Sequence, residues 1–180
     1  MKRASIALVS LLCAGCATFG QPPATDNTAT ARVVNAQGQS VGTANLVQIG
    51  DIVRIVFEAK GLPPGQHGVH IHETAKCEAP AFTTAGGHFN PGNKQHGALN
   101  PQGSHAGDLP NLTVEANGTG RLETATKQIS LLSGPSWLFD GDGSAIVVHA
   151  APDDFRTDPT GNSGARIACG VITKSDTAKK

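Results

Sequence analysis

Short runs of apolar residues, many of them alternating with polar ones, recur along this chain and predict β-strands rather than helices. Gly, Asn and Pro separate the runs, as is typical of strands joined by turns. No segment shows a sustained repeat of apolar residues at i, i+3, i+4 and i+7, so a helical bundle is not expected. About eight strands with no helices between them predict an all-β sandwich or barrel. The predicted strands are 29–34, 41–48, 52–59, 68–72, 112–116, 121–126, 145–149 and 167–172.

One connection is far longer than the others. Residues 73–109 are rich in Gly, Pro, Asn and His and show little strand pattern. Loops of this length in a compact domain usually carry function. We therefore expect the functional site to draw on this loop.

The N-terminus has the layout of an export signal. Two basic residues precede a short apolar run, which is too short to span a bilayer. The segment ending at Cys16 resembles a bacterial lipoprotein cleavage site, with the departure that Cys13 stands where Leu is usual. We expect residues 1–15 to be a signal peptide cleaved before a lipidated Cys16. The alternative is ordinary signal cleavage nearby, which would release a soluble exported protein.

The predicted organisation places one domain between two polar ends. Residues 16–28 read as a flexible tether, 29–173 as the domain and 174–180 as a polar tail. We expect the protein in the periplasm or cell envelope, held at a membrane only through Cys16.

Composition narrows the function classes. Lys and Arg number 14 against 14 Asp and Glu, so a protein that coats nucleic acid is not expected. Cleavage before Cys16 would leave 12 basic and 14 acidic residues, a formal charge of −2. Two of the four cysteines, Cys77 and Cys169, would remain beyond the lipidated one. An even pair in an oxidising compartment predicts a disulfide, and two buried free thiols are the alternative.

Histidine is the residue type that requires explanation, because the chain has seven. His70 and His72 stand at i and i+2 on a predicted strand, so both project from one face. His149 ends another predicted strand. The long loop supplies four more candidate ligands, His88, His96, His105 and Asp108.

This ligand set indicates metals bound by imidazole and carboxylate rather than by thiolate. Several imidazoles suit Cu(II), and His with a carboxylate in a tetrahedron suits Zn. The six histidines and Asp108 give seven ligands, one fewer than two four-coordinate sites need. Either one His is shared between two metals, with His88 the candidate, or one site is completed by water.

Several motifs together resemble the copper/zinc superoxide dismutase family. They occur in the family's order between about residues 29 and 172. The motifs are GQHGVHIHE (65–73), GGHFNP (86–91), HG (96–97), HAGDLPNL (105–112), VVHA (147–150) and GNSGARIACGVI (161–172). The resemblance implies an eight-stranded, immunoglobulin-like Greek-key β-barrel or sandwich with long metal-binding loops.

The resemblance also assigns roles to individual residues. It implies that His88 bridges the two metals and that Asp153 orients a copper His and a zinc His. Arg166 would guide the anion, His67 would support the copper strand, and a disulfide would join the remaining cysteines. The implied copper ligands are His70, His72, His88 and His149, and the implied zinc ligands are His88, His96, His105 and Asp108.

The expected activity is dismutation of superoxide by a copper ion, with a zinc ion at the neighbouring site. The alternative is a superoxide-dismutase-like protein that binds zinc or copper without catalysis. The stretch 77–88 lacks the insertion of many periplasmic bacterial members, so we expect a monomer or a weak homodimer.

Overall fold

The regular secondary structure of the domain is almost entirely antiparallel strand in the computed structural model, which describes residues 27–175. One turn of 3-10 helix, Thr83–Ala85, interrupts the long loop. Within the described residues no helix is long and apolar enough to cross a membrane. The strands are β1 (Thr28–Asn35), β2 (Ser40–Ile49), β3 (Ile52–Lys60), β4 (Gly65–His67), β5 (Val69–His72), β6 (Leu112–Val114), β7 (Thr119–Thr126), β8 (Ala145–His149), β9 (Arg166–Val171) and β10 (Thr173–Lys174).

The strands form one sheet that closes on itself. Neighbours follow the order β4-β6-β7-β3-β2-β1-β9-β8-β5, and β10 pairs with β1. The two ends of this path, β4 and β5, are consecutive in the chain and are separated only by Gly68. The segment 65–72 therefore completes a barrel, and the all-β prediction is confirmed.

Residues 27–175 form ten strands where the sequence predicts eight, and every predicted run overlaps a strand. The first additional strand, β4, arises because the segment 65–72 changes partner at Gly68, from β6 to β8. The second, β10, is a two-residue pairing with β1. The pattern of apolar and polar residues indicates which residues alternate in burial but not which strand they pair with. The sequence therefore does not predict β4 or β10 as separate strands.

The ends of the domain extend slightly past the predicted limits. Thr28 belongs to β1 and Lys174 to β10, so strand structure includes one residue of the predicted tether and one of the predicted tail. The predicted signal peptide, the lipidation site Cys16 and residues 176–180 lie outside the described residues.

Alternating burial explains why the first strands form. Along β3, Val53, Ile55 and Phe57 are fully buried. Arg54 lies between them, faces solvent and pairs with Glu123 of the neighbouring strand β7. Fully burying one such apolar side chain stabilises a fold by about 1.5–3 kcal/mol. The period of two therefore fixes which face of the strand packs inward.

Strand β8 differs because all five of its residues are buried. Ile146 and Val148 belong to the main core inside the barrel. Ala145 and Val147 form a second cluster with Phe82, which lies in the long loop. The loop therefore packs on the outer face of the barrel, and both faces of this strand are buried, one by the core and one by the loop.

A disulfide fixes the same loop covalently. Cys77 of the loop is bonded to Cys169 of β9, with the two Cα atoms 5.6 Å apart and 92 residues between them in sequence. The Cys169 side chain is fully buried in the second cluster. The predicted pairing is the observed one.

The loop also completes the backbone hydrogen bonding of β5. The Ile71 N–H donates to the Gly107 carbonyl at 2.9 Å, and the Ile71 carbonyl accepts from the Phe89 N–H at 2.8 Å. The Glu73 N–H donates to the Gly87 carbonyl at 3.1 Å. These contacts bring both halves of the loop beside β5, which carries the first two predicted ligands.

Candidate metal centre

Three imidazoles meet where β5 and β8 lie side by side. His70 and His72 project from one face of β5, with ring centroids 6.4 Å apart and both side chains fully buried. His149 ends β8, and its ring centroid lies 4.9 Å from that of His70. The i, i+2 spacing predicted from the sequence therefore places these rings on a rigid sheet surface.

The long loop adds a fourth imidazole. His88 is bridged to His72 by backbone pairing, which fixes its position along β5. Its ring centroid lies 3.9 Å from His70 and 4.9 Å from His72. One ligand atom from each of the four histidines, including His149, lies within 4.8 Å of the others.

Main-chain carbonyls orient two of these rings. The Nδ1–H of His72 donates to the Gly86 carbonyl at 3.0 Å, and the Nδ1–H of His149 donates to the Gly164 carbonyl at 3.1 Å. A carbonyl only accepts, so in each neutral ring Nδ1 carries the proton and Nε2 keeps its lone pair.

The nitrogens that face the centre of this cluster have no hydrogen-bond partner. They are His70 Nδ1, His72 Nε2, His88 Nε2 and His149 Nε2. Buried polar atoms are nearly always satisfied, so four unpartnered imidazole nitrogens at one point require an explanation. A metal ion that accepts four nitrogen ligands satisfies all of them, and this donor set fits copper.

A second cluster lies on the other side of the His88 ring. The Oδ1 atom of Asp108 lies 2.9 Å from His88 Nδ1, 3.1 Å from His96 Nδ1 and 3.2 Å from His105 Nδ1. The Nδ1 atoms of His88 and His105 are 3.3 Å apart. Zinc ligands at about 2.0–2.1 Å in a tetrahedron are about 3.3–3.4 Å from one another. These four separations among the donor atoms are therefore close to those of a zinc site.

A nitrogen of His70 also lies within 4.8 Å of the ligand atoms of His88, His96 and Asp108. His105 is nevertheless the fourth member of the second cluster. One His70 nitrogen is hydrogen-bonded to Asp153 and the other faces the first cluster. His105 instead directs its Nδ1 at Asp108 and His88.

Backbone donors fix the carboxylate of the second cluster. The Oδ2 atom of Asp108 accepts from the Gly97 N–H at 2.9 Å and from the His105 N–H at 3.0 Å. These bonds leave Oδ1 facing the three imidazoles. Burial raises the pKa of Asp108, but hydrogen bonds from His105, His88 and His96 outweigh it and hold the pKa well below its usual value.

Asp153 connects the two clusters by contacting the Nε2 atoms of His70 and His96. Its Oδ2 accepts from the Nε2–H of His70 at 2.7 Å, and both carboxylate oxygens lie 3.0 Å from Nε2 of His96. Its Oδ1 also accepts from the Phe155 N–H at 2.6 Å. One buried carboxylate thus orients a ring of each cluster, as the predicted role requires.

The protonation of three rings in the first cluster favours metal binding. Burial lowers the pKa of His70 to about 3, that of His72 to about 2 and that of His149 to about 4. These rings are therefore neutral near pH 7 and offer lone pairs. Burial also lowers the pKa of His96, but hydrogen bonds to Asp108 and Asp153 outweigh it and raise this pKa to about 9.

Comparison with known proteins identifies the family. A family model described as copper/zinc superoxide dismutase matches residues 40–172. The chain belongs to the copper/zinc superoxide dismutase family. Its similarity to Superoxide dismutase [Cu-Zn] 2 of Aquifex aeolicus (strain VF5) is 43% identity over 174 residues, which is 96% of this chain and 99% of the relative. Superoxide dismutase [Cu-Zn] 1 of the same organism is 46% identical over 144 residues, 79% of this chain and 85% of the relative.

A solved structure gives the same result. The crystal structure of a double mutant of a SOD-like protein from Bacillus subtilis superposes with a TM-score of 0.76 at 45% sequence identity. The match covers 79% of this chain and 95% of that one. The copper/zinc superoxide dismutase fold is therefore shared at the level of sequence and of structure.

Arg166 lies beside the first cluster of this superoxide dismutase domain. It begins β9 and pairs with His149 of the neighbouring strand β8. Its Nη1 donates to the Phe82 carbonyl at 2.7 Å and its Nη2 to the Gly86 carbonyl at 2.6 Å. The Gly86 carbonyl also accepts from His72. The predicted anion-guiding residue therefore also holds the loop that orients a predicted copper ligand.

The remaining predicted support residue, His67, lies below the first cluster. Its ring bonds to the carbonyls of His149 at 2.7 Å and Pro63 at 2.8 Å, and it contributes no atom to either cluster. The geometry agrees with a structural rather than a ligating histidine.

Three supporting residues were not found from the sequence. The side chain of Asn111 pairs with both backbone groups of Asp153, at 2.8 and 2.9 Å. A Cβ at Gly161 would collide with the Asp153 carboxylate and with His96. The Asp158 carboxylate accepts from the His96 N–H at 2.6 Å. Each acts on a residue far away in the sequence. Asn111 lies in the motif 105–112 and Gly161 in the motif 161–172, whereas no motif contains Asp158.

Proposed function

We propose that the protein is a copper/zinc superoxide dismutase that converts two superoxide anions and two protons into O₂ and H₂O₂. The observation that carries the proposal is the position of His88 between the two clusters. Its Nε2 is one of four unpartnered nitrogens, and its Nδ1 lies 2.9 Å from Asp108. A single imidazolate can therefore serve both ions.

The proposed ligand sets follow from the atoms described above, with one copper and one zinc per chain. His70, through Nδ1, and His72, His88 and His149, through Nε2, would hold copper. His88, His96 and His105, through Nδ1, and Asp108, through Oδ1, would hold zinc.

The chain's residues supply position and protons for this reaction. Copper, when bound, would supply the one-electron exchange between successive superoxide anions. His88 Nε2 would take up one proton and give it to the reduced oxygen, with its Nδ1 kept on the zinc side, and solvent would supply the second proton. Asp153 holds His70 and His96 in place throughout, because its contacts are on the ring nitrogens that face away from the metals.

Arg166 is proposed to hold the anion at the copper. The predicted mature chain has a formal charge of −2, so net charge does not attract superoxide. A local positive group is needed, since charged clefts steer association through their own field. The guanidinium is fixed by two carbonyls, which leaves its orientation set before substrate arrives.

The test is the metal content of the purified protein together with superoxide consumption. We expect one copper and one zinc per chain and a fast second-order reaction. His149→Ala is the matched variant, because His149 belongs only to the copper cluster. It should keep zinc and lose the activity. A wild-type protein that takes up zinc alone after copper loading, and consumes no superoxide, would contradict the proposal and favour a non-enzymatic metal-binding protein.

We also propose export to the periplasm or cell envelope and anchoring through a diacylglycerol on Cys16. The N-terminal sequence pattern supports this. Metabolic labelling with a fatty acid should label the wild type, and Cys16→Ser should abolish the label. Cys13→Ser is the control, since Cys13 would leave with the signal peptide. An unlabelled wild-type protein would overturn the anchor without affecting the proposed reaction.

A monomer or weak homodimer is also proposed, and the oligomeric state can be measured by sedimentation.

A further inference from the structure

Exposed apolar side chains concentrate at one end of the barrel. Among residues 27–175 only four large hydrophobic side chains are exposed. Ile49 is 72% exposed and Ile52 is 40% exposed, and they form the last cross-strand pair before the turn between β2 and β3. Leu132 is 43% exposed, and the fourth, Leu99, lies on the long loop.

Gln48 brings Leu132 to the same end as the hairpin. The Leu131 N–H donates to Oε1 of Gln48 at 2.6 Å, and the Ser130 hydroxyl approaches the same atom at 3.4 Å. Gln48 directly precedes Ile49, and Leu131 directly precedes Leu132. We call Ile49, Ile52 and Leu132 the apolar tip.

The surroundings of the apolar tip contain a tryptophan and two lysines, one of them paired with an aspartate. The indole N–H of Trp137 donates to the Leu131 carbonyl at 3.3 Å. The Lys174 ammonium lies 5.9 Å from the centre of the Trp137 ring. Lys127 pairs with Asp51 of the hairpin turn at 2.9 Å, and both side chains are exposed. Trp and Lys beside exposed aliphatic residues are the composition of surfaces that lie at a lipid–water interface.

The polypeptide enters the barrel at this end. The Asn27 carbonyl accepts from the Gln48 N–H at 2.8 Å, and the Asn27 side chain donates to the Gln48 carbonyl at 2.8 Å. Residues 16–26, between the proposed lipid and Asn27, can span at most about 40 Å. An acyl chain on Cys16 would therefore hold the apolar tip close to the bilayer.

We propose that the apolar tip docks the domain onto the surface of a lipid bilayer. The proposal rests on the lipidation proposed above, because the acyl chain would raise the concentration of the domain near the bilayer. The docking contacts themselves would be made by the apolar tip. Three side chains are few compared with the roughly 20–30 residues that each partner contributes to a stable protein interface. The tip is therefore suited to lipid rather than to a second copy.

Docking in this way orients the copper site. Arg166 begins β9, and Lys174, beside Trp137, ends β10. The eight residue steps from Arg166 to Lys174 correspond to roughly 26 Å of extended strand. With the tip on the bilayer, the Arg166 side of the domain would face the aqueous compartment, where superoxide diffuses.

The single tryptophan of the chain, Trp137, provides the test. The lipidated protein would be reconstituted into vesicles of phosphatidylethanolamine and phosphatidylglycerol that contain a nitroxide-labelled lipid. Quenching of Trp137 fluorescence by the label reports docking. The double variant Ile49→Ser/Ile52→Ser is compared with Leu99→Ser, which removes an exposed aliphatic side chain outside the tip.

We expect strong quenching in the wild type and in Leu99→Ser. The double variant should remain anchored by its acyl chain, with a docking equilibrium constant reduced roughly tenfold, since it loses partial burial of two isoleucines. Equal quenching in the wild type and the double variant would overturn the proposal, and so would absence of quenching in the anchored wild type. The wild-type measurement alone therefore tests the proposal, even where the double variant fails to fold.

Two further outcomes distinguish lipid docking by the tip from the lipidation proposal and from self-association of the protein. If mass spectrometry shows no acyl chain, the lipidation proposal fails. Sedimentation of the protein with the same vesicles then tests the tip directly, and binding that the double variant loses would support it. A dimer of the wild type that the double variant converts to a monomer would overturn lipid docking in favour of self-association.

Discussion

The Nε2–H of His70 donates to Oδ2 of Asp153 over 2.7 Å, with both side chains fully removed from solvent. The same carboxylate contacts Nε2 of His96, whose Nδ1 belongs to the second cluster. Hydrogen bonds of this kind set the orientation and basicity of ligating imidazoles. The two proposed metal sites are therefore coupled through Asp153 as well as through His88.

Asp153→Asn should weaken both metals together. The amide offers a single acceptor oxygen in place of two carboxylate oxygens, so one of the two rings loses its contact. We expect affinity for copper and zinc to fall about 10–100-fold, measured by competition with a chelator. Asp154→Asn is the matched control, because Asp154 is exposed and bonds to Thr157 and Asn162. Unchanged affinity in Asp153→Asn would contradict the coupling.

Replacement of individual ligands should separate shared from unshared roles. His88→Ala should lower the copper and zinc contents together, because it removes a ligand from each site. His105→Ala should lower zinc first, since His105 contacts only the second cluster. Elemental analysis of the purified variants checks both. Loss of a single metal in His88→Ala would mean that His88 is not shared.

Arg166→Glu should lower the second-order rate of superoxide consumption by roughly one to two decades, within the range that electrostatic steering provides. The wild-type rate should fall with added salt, because ions screen the field beyond about 8–10 Å. The variant should lose or invert that dependence. Stopped-flow rates at several ionic strengths give the measurement.

Arg166→Lys is the control for this experiment. It keeps the charge but not the planar fork that holds the carbonyls of Phe82 and Gly86. Copper content must be measured in both variants, because Gly86 also orients His72. A fully metallated Arg166→Glu protein with the wild-type rate and salt response would remove Arg166 from substrate guidance.

The metal-free protein should lose stability as the pH falls below about 6.5. Burial holds the pKa of His70 at about 3 and that of His149 at about 4, below the 6.5 of an unperturbed ring. Between these values the unfolded state binds more protons than the folded state, so the free energy of unfolding decreases as acid is added. Each such ring contributes up to about 1.4 kcal/mol per pH unit.

His96 contributes with the opposite sign at higher pH. Its pKa is raised to about 9, so its contribution is present below 6.5 and is lost as the pH rises through 9. Urea unfolding of the metal-free protein at pH 5, 7 and 9 measures both effects. A free energy of unfolding that is the same at pH 5 and pH 7 would contradict the histidine account.

Much of the site could be predicted because it rests on local geometry. The i, i+2 spacing of His70 and His72 is enough to place both rings on one face of a strand. The loop ligands could be recognised from their motifs and order. The choice of nitrogen could not, because it depends on the carbonyls of Gly86 and Gly164, which no local pattern reveals.

The same limit applies to the fold. Alternation in β3 predicts its inward face, since burial repeats every two residues. The partner change at Gly68 could not be read in this way. On either side of this residue the chain remains extended, and only the two different neighbouring strands distinguish β4 from β5.

The loop that carries the proposed zinc ligands also occupies the outer edge of β5. Both backbone groups of Ile71 are bonded to loop residues, Gly107 and Phe89. An uncovered strand edge presents unpaired N–H and C=O groups on which another extended chain can assemble. Departure of this loop would expose the edge of β5 as such a template. The contacts that hold the metal-ligand loop in place therefore also protect the protein from strand-to-strand aggregation.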